Sequence, residues 1–136
     1  MASQIFVNLP IQDLTATNSF FAALGFEFNP MFSNEVATCM LINEHAFVML
    51  LTTPFFGTFT PKPISLGNES TEVIMGISVE TREKVNEMAE KAISLGGTEA
   101  RDPQDHGFMF TRSFHDLDGH IWEVFWMDPN GIPEAS

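Results

Sequence analysis

The chain has 136 residues, 44% hydrophobic and 18% charged, enough apolar content for one packed domain and too little charge for disorder. Eighteen acidic residues against six basic ones give a net charge of −12, and the three lysines and three arginines are scattered. Binding to nucleic acid or anionic membrane through clustered cations is therefore excluded, and no apolar run approaches the roughly 18 residues that span a bilayer. Met1-Ala2-Ser3-Gln4 lacks the basic start of a secretory signal, and the lone Cys39 can form no internal disulfide, so a reducing, cytoplasmic setting is expected. Fourteen Phe and eight Met with no Tyr imply adaptable apolar packing, and more apolar surface than one small core uses.

Ile5, Val7, Leu9 and Ile11 alternate and predict a half-buried strand. Asp13 follows as a helix N-cap, Leu14, Thr17, Phe20, Phe21 and Leu24 recur at helical spacing, and Gly25 marks the stop. Strands are then predicted over Phe26–Met31, Val36–Asn43 and Ala46–Thr52, with Asn43-Glu44-His45 as the hairpin turn between the last two. The same order returns after residue 72. Val73–Val79 alternates, and Thr81 caps a helix whose apolar side is Val85, Met88, Ala89, Ala92 and Leu95, ending at Gly96-Gly97. Thr98–Arg101, Phe108–Phe114 and His120–Trp126 complete three more strands, and a frayed tail is expected beyond Gly131.

Leu24-Gly25 and Leu95-Gly96 stand about 70 positions apart, too long a period for a solenoid and right for an internally duplicated domain. The expected architecture is α+β: two tandem βαβββ units, about 5–52 and 73–127, each a cupped mixed sheet with its helix outside. The segment 53–71, with Pro54, Gly57, Pro61, Pro63 and Gly67, reads as a linker. Phe55, Phe56, Phe59 and Leu66 within it require something to pack on.

Two such units, the second closing on Asp116-Leu117-Asp118-Gly119-His120-Ile121-Trp122-Glu123, resemble the vicinal-oxygen-chelate superfamily. That group contains glyoxalase I, bleomycin-resistance proteins, fosfomycin-resistance enzymes and extradiol dioxygenases. Leu9-Pro10-Ile11-Gln12-Asp13-Leu14 matches its opening strand-to-helix step and Leu24-Gly25-Phe26 the end of its first helix. The nearest branch is that of predicted lactoylglutathione lyases. The resemblance implies a half-open barrel whose cleft holds a small molecule and, in many members, a divalent metal on the first and last strands of each repeat. Carried over position by position, those ligand places fall on Phe6, on Met49 or Leu50, on Ile74 and on Glu123. Phe6, Leu50 and Ile74 offer no lone pair, only Glu123 matches the His or Glu ligands of the family, and one carboxylate does not hold Zn²⁺ or Ni²⁺, so no metal or other cofactor is expected.

Glu123 interrupts an apolar strand, sharing a face with Ile121 and Phe125, where ionisation is costly and a carboxyl suits acid–base work. Asn8 and Ser78, one on each first strand, face the same cleft by alternation and are candidates to orient a ligand's polar atom. Arg112 has three readings: a partner for a ligand carboxylate, a partner for Glu123, or a member of a surface salt bridge. His106 sits in a predicted mouth loop and His120 beside the signature turn, the latter read as structural, and Cys39 reads as a small buried hydrophobe. The ligand-binding set is therefore Phe6, Asn8, Leu50, Ile74, Ser78, His106, Arg112 and Phe125 around Glu123. The functional expectation is a homodimer that binds a small organic molecule in an apolar cleft, sequestering it or acting on it through Glu123. The rival expectation is a lyase or dioxygenase with relocated ligands to Zn, Ni, Mn or Fe, pairing Glu123 with His106 or His115. A third is a protein whose cleft is filled by its own phenylalanines and which acts only by association.

Overall fold

In the computed structural model, which describes residues 3–131, the alternating segment Ile5–Ile11 is strand β1. Asp13 then caps helix α1, Leu14–Ala23: its Oδ1 accepts from the Ala16 N–H at 3.0 Å, and Gly25 ends the helix at φ +102°. Strand β2 is only Glu27–Asn29, shorter than predicted, because Pro30 starts a 3-10 turn, Pro30–Phe32, capped by the Asn29 side chain. Strands β3, Ala37–Leu41, and β4, Ala46–Thr52, follow as an antiparallel hairpin. At its turn Asn43 Oδ1 accepts from the N–H of His45 and of Ala46, which is why that residue serves there.

The sheet order is β1-β4-β3-β2, with β1 and β4 parallel, a pairing that α1 makes possible by carrying the chain across one face. Leu9, Ile11, Val48, Leu50 and Met40 lie on the helix-covered face with Phe20 and Phe21, and all are buried. Each such side chain contributes about 1.5–3 kcal/mol relative to exposure, so this face organises the unit.

The second unit repeats the design. Strand β5 is Ile74–Ser78, and after a short helix α2 in the first unit (Thr53–Phe56) the second long helix is α3, Arg82–Ser94, capped by Thr81 Oγ1 on the Lys84 N–H. Strands β6 (Thr98–Asp105), β7 (Met109–His115) and β8 (Ile121–Met127) complete a sheet ordered β5-β8-β7-β6. Both sheets are mixed, four-stranded and open, as the two-repeat reading expects. Val85, Ala89 and Ala92 of α3 pack on the face bearing Trp122, Val124 and Phe114, every one of them buried.

Two compact units divide the chain, Met1–Leu66 and Gly67–Ser136. The segment expected as a linker is structured within them. Thr53 Oγ1 donates to the Ile11 carbonyl at 3.1 Å and the Phe55 and Phe59 rings meet edge to face, both inside the first unit. Gly67 and Asn68 lie against the Asp118–His120 turn of the second. The tail predicted to fray beyond Gly131 lies outside the described residues.

Candidate functional site

Each sheet has a second face, opposite its helix, and strand register assigns residues to it. In the first unit Phe6 pairs with Phe47 and Asn8 with Met49, and the Phe6 and Phe47 rings stack at 4.7 Å. Leu50 was expected here and is not: it lies across from Leu9 on the helix-covered face, fully buried. The period of two permits only one of Met49 and Leu50 on the open face, and it is Met49. Asn8 is exposed there, its Nδ2 donating to the Phe6 carbonyl at 3.4 Å.

The open face of the second sheet is where chemistry collects. Three rows cross it: Thr98–His115–Ile121–Ile74, Arg101–Ser113–Glu123–Gly76, and Gln104–Thr111–Phe125–Ser78. Glu123, Ser78, Ile74 and Phe125, all anticipated from the sequence, thus share one face. Arg101 was not anticipated. Its Nη2 donates to Glu123 Oε2 at 3.2 Å, so the carboxylate expected to stand alone among apolar side chains is half of an ion pair.

A β-bulge explains the arrangement. Glu99 opposes Phe114 and Arg101 opposes Ser113, so two steps along β6 match one along β7, leaving Ala100 extra. In a regular strand Glu99 and Arg101 would point the same way; the bulge sends them to opposite faces. Arg101 reaches Glu123 on the open side. Glu99 turns to the helix side, where it accepts from Arg112 Nη2 at 3.1 Å.

Arg112 accordingly leaves the open face altogether. It pairs in register with Val124 and is only 7% exposed, held by Glu90 at 2.7 Å, by Glu99, and by Asn86 Oδ1 at 3.3 Å. Burial works against its charge, and the two carboxylates outweigh that, raising its pKa above the ordinary value. Pairing with Glu123, one of its three readings, is not made, because adjacent strands put Arg112 and Glu123 on opposite sides of the sheet. Its ion pairs do reach the surface, since Glu90 is exposed, but the guanidinium itself is interior.

His106 lies in the β6–β7 turn, beyond the row of Glu123; its N–H closes the hairpin on the Met109 carbonyl. His115 is on the open face diagonal to Glu123, with Nδ1 at 3.1 Å from Thr98 Oγ1. At the turn's entrance Arg82 ion-pairs with Asp105 and lies over the Phe110 ring at 4.8 Å and the Trp126 ring at 5.5 Å. The Arg82 hydrogen bond, then that from the Gly107 N–H, holds Asp105 below the ordinary carboxylate range. Burial pushes the Cys39 thiol up, away from reactivity.

The Asp116–Glu123 signature has a structural half. Asp116 is buried; its Oδ1 accepts from the N–H groups of Asp118 and His120 and its Oδ2 from Trp122 Nε1 at 2.9 Å. Gly119 has φ +86°, and a Cβ there would meet the Gly67 carbonyl carbon at 2.8 Å. Asp116 therefore fixes the turn and the indole, which in turn sets the register of Glu123 on β8.

The donor set does not fit a divalent metal. Among the described residues no three His, Cys, Asp or Glu side chains converge, and Glu123 already faces a guanidinium. Phe6, Ile74 and Met49 hold the other open-face places.

Comparison with known proteins agrees with the fold described above. Residues 4–43 match the family model described as bleomycin resistance protein-like N-terminal. A hypothetical protein from S. aureus shares 25% identity, covering 93% of this chain and 94% of its own, with a TM-score of 0.78. A glyoxalase-related enzyme from Fulvimarina pelagi superposes at TM-score 0.77, with 19% identity over 93% of this chain and 88% of that one. The fosfomycin resistance protein FosX from Mesorhizobium loti gives 0.67, with 13% identity over 93% and 92%. No curated protein sequence matches the chain. The open, mixed-sheet architecture matches the glyoxalase-like βαβββ fold of these structural neighbours.

Proposed function

We propose that the protein binds a small organic molecule on the open face of its second sheet, as a glyoxalase/bleomycin-resistance-like protein that works without the divalent-metal chemistry of its fold. One observation carries this reading: a polar row, Arg101–Ser113–Glu123, set among Ile74, Ile121 and Phe125 on a face no helix of its unit covers. A few convergent polar groups in apolar surroundings are what a small-molecule site requires. Glu123 is the acid–base group if the ligand is transformed; otherwise the protein sequesters it. The Leu9–Leu14 and Asp116–Glu123 segments support placing the chain beside the predicted lactoylglutathione lyases, with that activity lost along with three of four ligand places.

A homodimer in a reducing, cytoplasmic compartment is the proposed setting. The exposed apolar side chains of the edge strands, Ile5 and Phe6 on β1 and Ile74 on β5, support the dimer, and the buried unpaired Cys39 supports the compartment. Among the described residues no helix is long and apolar enough to cross a membrane. Metal analysis of protein purified without chelator, run beside a thermal-shift screen of small organic molecules, tests the main reading. Ligand-dependent stabilisation without stoichiometric metal is expected. Stoichiometric Zn, Ni, Mn or Fe, with ligands stabilising only the metal-loaded protein, overturns it.

A further inference from the structure

The Arg101–Glu123 pair has an unusual span. Arg101 is on β6 and Glu123 on β8, with β7 between them, so the pair crosses about 10 Å of sheet and passes over Ser113. Ser113 is 2% exposed, and its Oγ has no hydrogen-bond partner. Leaving a hydroxyl buried and unpaired is unfavourable, so Ser113 Oγ is an unused hydrogen-bonding group in the row the pair spans.

The two partners are unequal. The Arg101 side chain is 56% exposed and the Glu123 side chain 28%, so on separation Arg101 returns to water while Glu123 stays among apolar side chains needing a new cation. Beside Glu123 in the same row, on edge strand β5, stands Gly76. A Cβ added there would meet only Phe125 Cε1, at an ordinary 3.6 Å, so the row has a vacant notch opening next to the carboxylate. The chain's charge of −12 draws cations toward it and repels anions.

Resting on the small-molecule reading above, we infer that the ligand is an organic cation, an ammonium on an apolar body, which enters at Gly76 and displaces Arg101 from Glu123. Its N–H groups donate to Glu123 and to Ser113 Oγ, while its apolar part lies on Ile74, Ile121 and Phe125. Arg101 is then a competing internal cation that keeps Glu123 paired until the ligand arrives.

Three probes of one size separate the possibilities: hexylammonium, hexanol and hexanoate, titrated into the full chain at low salt and followed by amide chemical shifts of β5, β7 and β8. Hexylammonium should bind at least about tenfold tighter than the other two, and Glu123→Gln should remove that preference. Arg101→Ala supplies the sign. A group that contacts the ligand weakens binding when lost, whereas a competitor strengthens it, here by about two- to fivefold, the worth of an exposed ion pair. Gly76→Val, which fills the notch without a steric conflict at Cβ, should abolish binding with the fold retained by circular dichroism. Tighter binding of hexanoate or hexanol, weaker hexylammonium binding in Arg101→Ala, or unchanged binding in Gly76→Val overturns the cation inference and leaves the small-molecule reading standing. No shift on this face with any probe, in wild type or Arg101→Ala, overturns both.

Discussion

Replacing Asp116 should be the most damaging single change in the second unit, even though the residue carries no proposed chemistry. Its carboxylate accepts three hydrogen bonds, from the Asp118 and His120 N–H groups and from Trp122 Nε1, at 2.9, 3.0 and 2.9 Å. Hydrogen bonds to a charged group are worth about 1.5–3 kcal/mol each when one partner is deleted. Solvent can partly take over the Asp118 bond at the half-buried turn, but Trp122 is fully buried and out of its reach. Asp116→Ala should therefore cost about 3–5 kcal/mol, a large share of the 5–15 kcal/mol that holds a typical domain together. At about 3 °C per kcal/mol for a chain of this size, the melting temperature should fall by roughly 10–15 °C. Asp116→Asn separates the contributions. One amide oxygen can still serve the backbone donors, but the NH₂ group faces the indole donor, so a loss of about 1–3 kcal/mol is expected. Urea and thermal melts by circular dichroism measure both. An Ala variant within about 1 kcal/mol of wild type would refute the view that Asp116 organises this turn.

Glycine substitutions should separate backbone strain from crowding. Gly107 (φ +80°) has open space around a Cβ, so Gly107→Ala should cost about 1–2 kcal/mol. Gly119→Ala adds a clash with Gly67 and should cost about 1–3 kcal/mol more; equal melting temperatures for the two variants would contradict the close approach. Arg112→Met should shift stability by less than about 1.5 kcal/mol, because it removes a buried guanidinium whose Nε is unpartnered while exposed Glu90 can hydrate; a larger loss in denaturant melts would show the ion pairs outweigh burial. Because Asp105 is held below its ordinary 3.8, its contribution is present above that pH and disappears as pH falls through the lower folded value. The melting gap between wild type and Asp105→Asn should thus be constant near neutrality and close in acid, and a gap that widens in acid would reverse the sign. Zn²⁺ or Ni²⁺ added at millimolar concentration should barely move the melting temperature, since stabilisation follows RT ln(1 + [L]/Kd) and one arginine-paired carboxylate binds metal weakly; a rise of several degrees, absent in Glu123→Gln, would expose a metal site.

Local physics was legible in the sequence. Asp13 and Thr81 cap their helices and Gly25 and Gly96 end them, because capping depends on residues within one turn of each other. Alternation put Glu123, Ile121 and Phe125 on one face and Trp122 and Val124 on the other, and the repeated order of elements announced the duplication. Leu50 shows the limit of this reading. A strand apolar on both faces gives no phase, so only the register against Leu9 decides that Met49, not Leu50, shares a face with Phe6 and Asn8. Arg101 shows it again. Nothing in Thr98–Asp105 marks Ala100 as a bulge, since bulges arise from pairing with a neighbouring strand rather than from composition. That one extra residue places Glu99 beneath the helix with Arg112 and Arg101 on the open face with Glu123. The chain's own order therefore announced the repeated elements and their helix caps, while the face that Glu99, Arg101, Arg112 and Glu123 each take, and so which of them can pair, was decided by strand register, which exists only between paired segments.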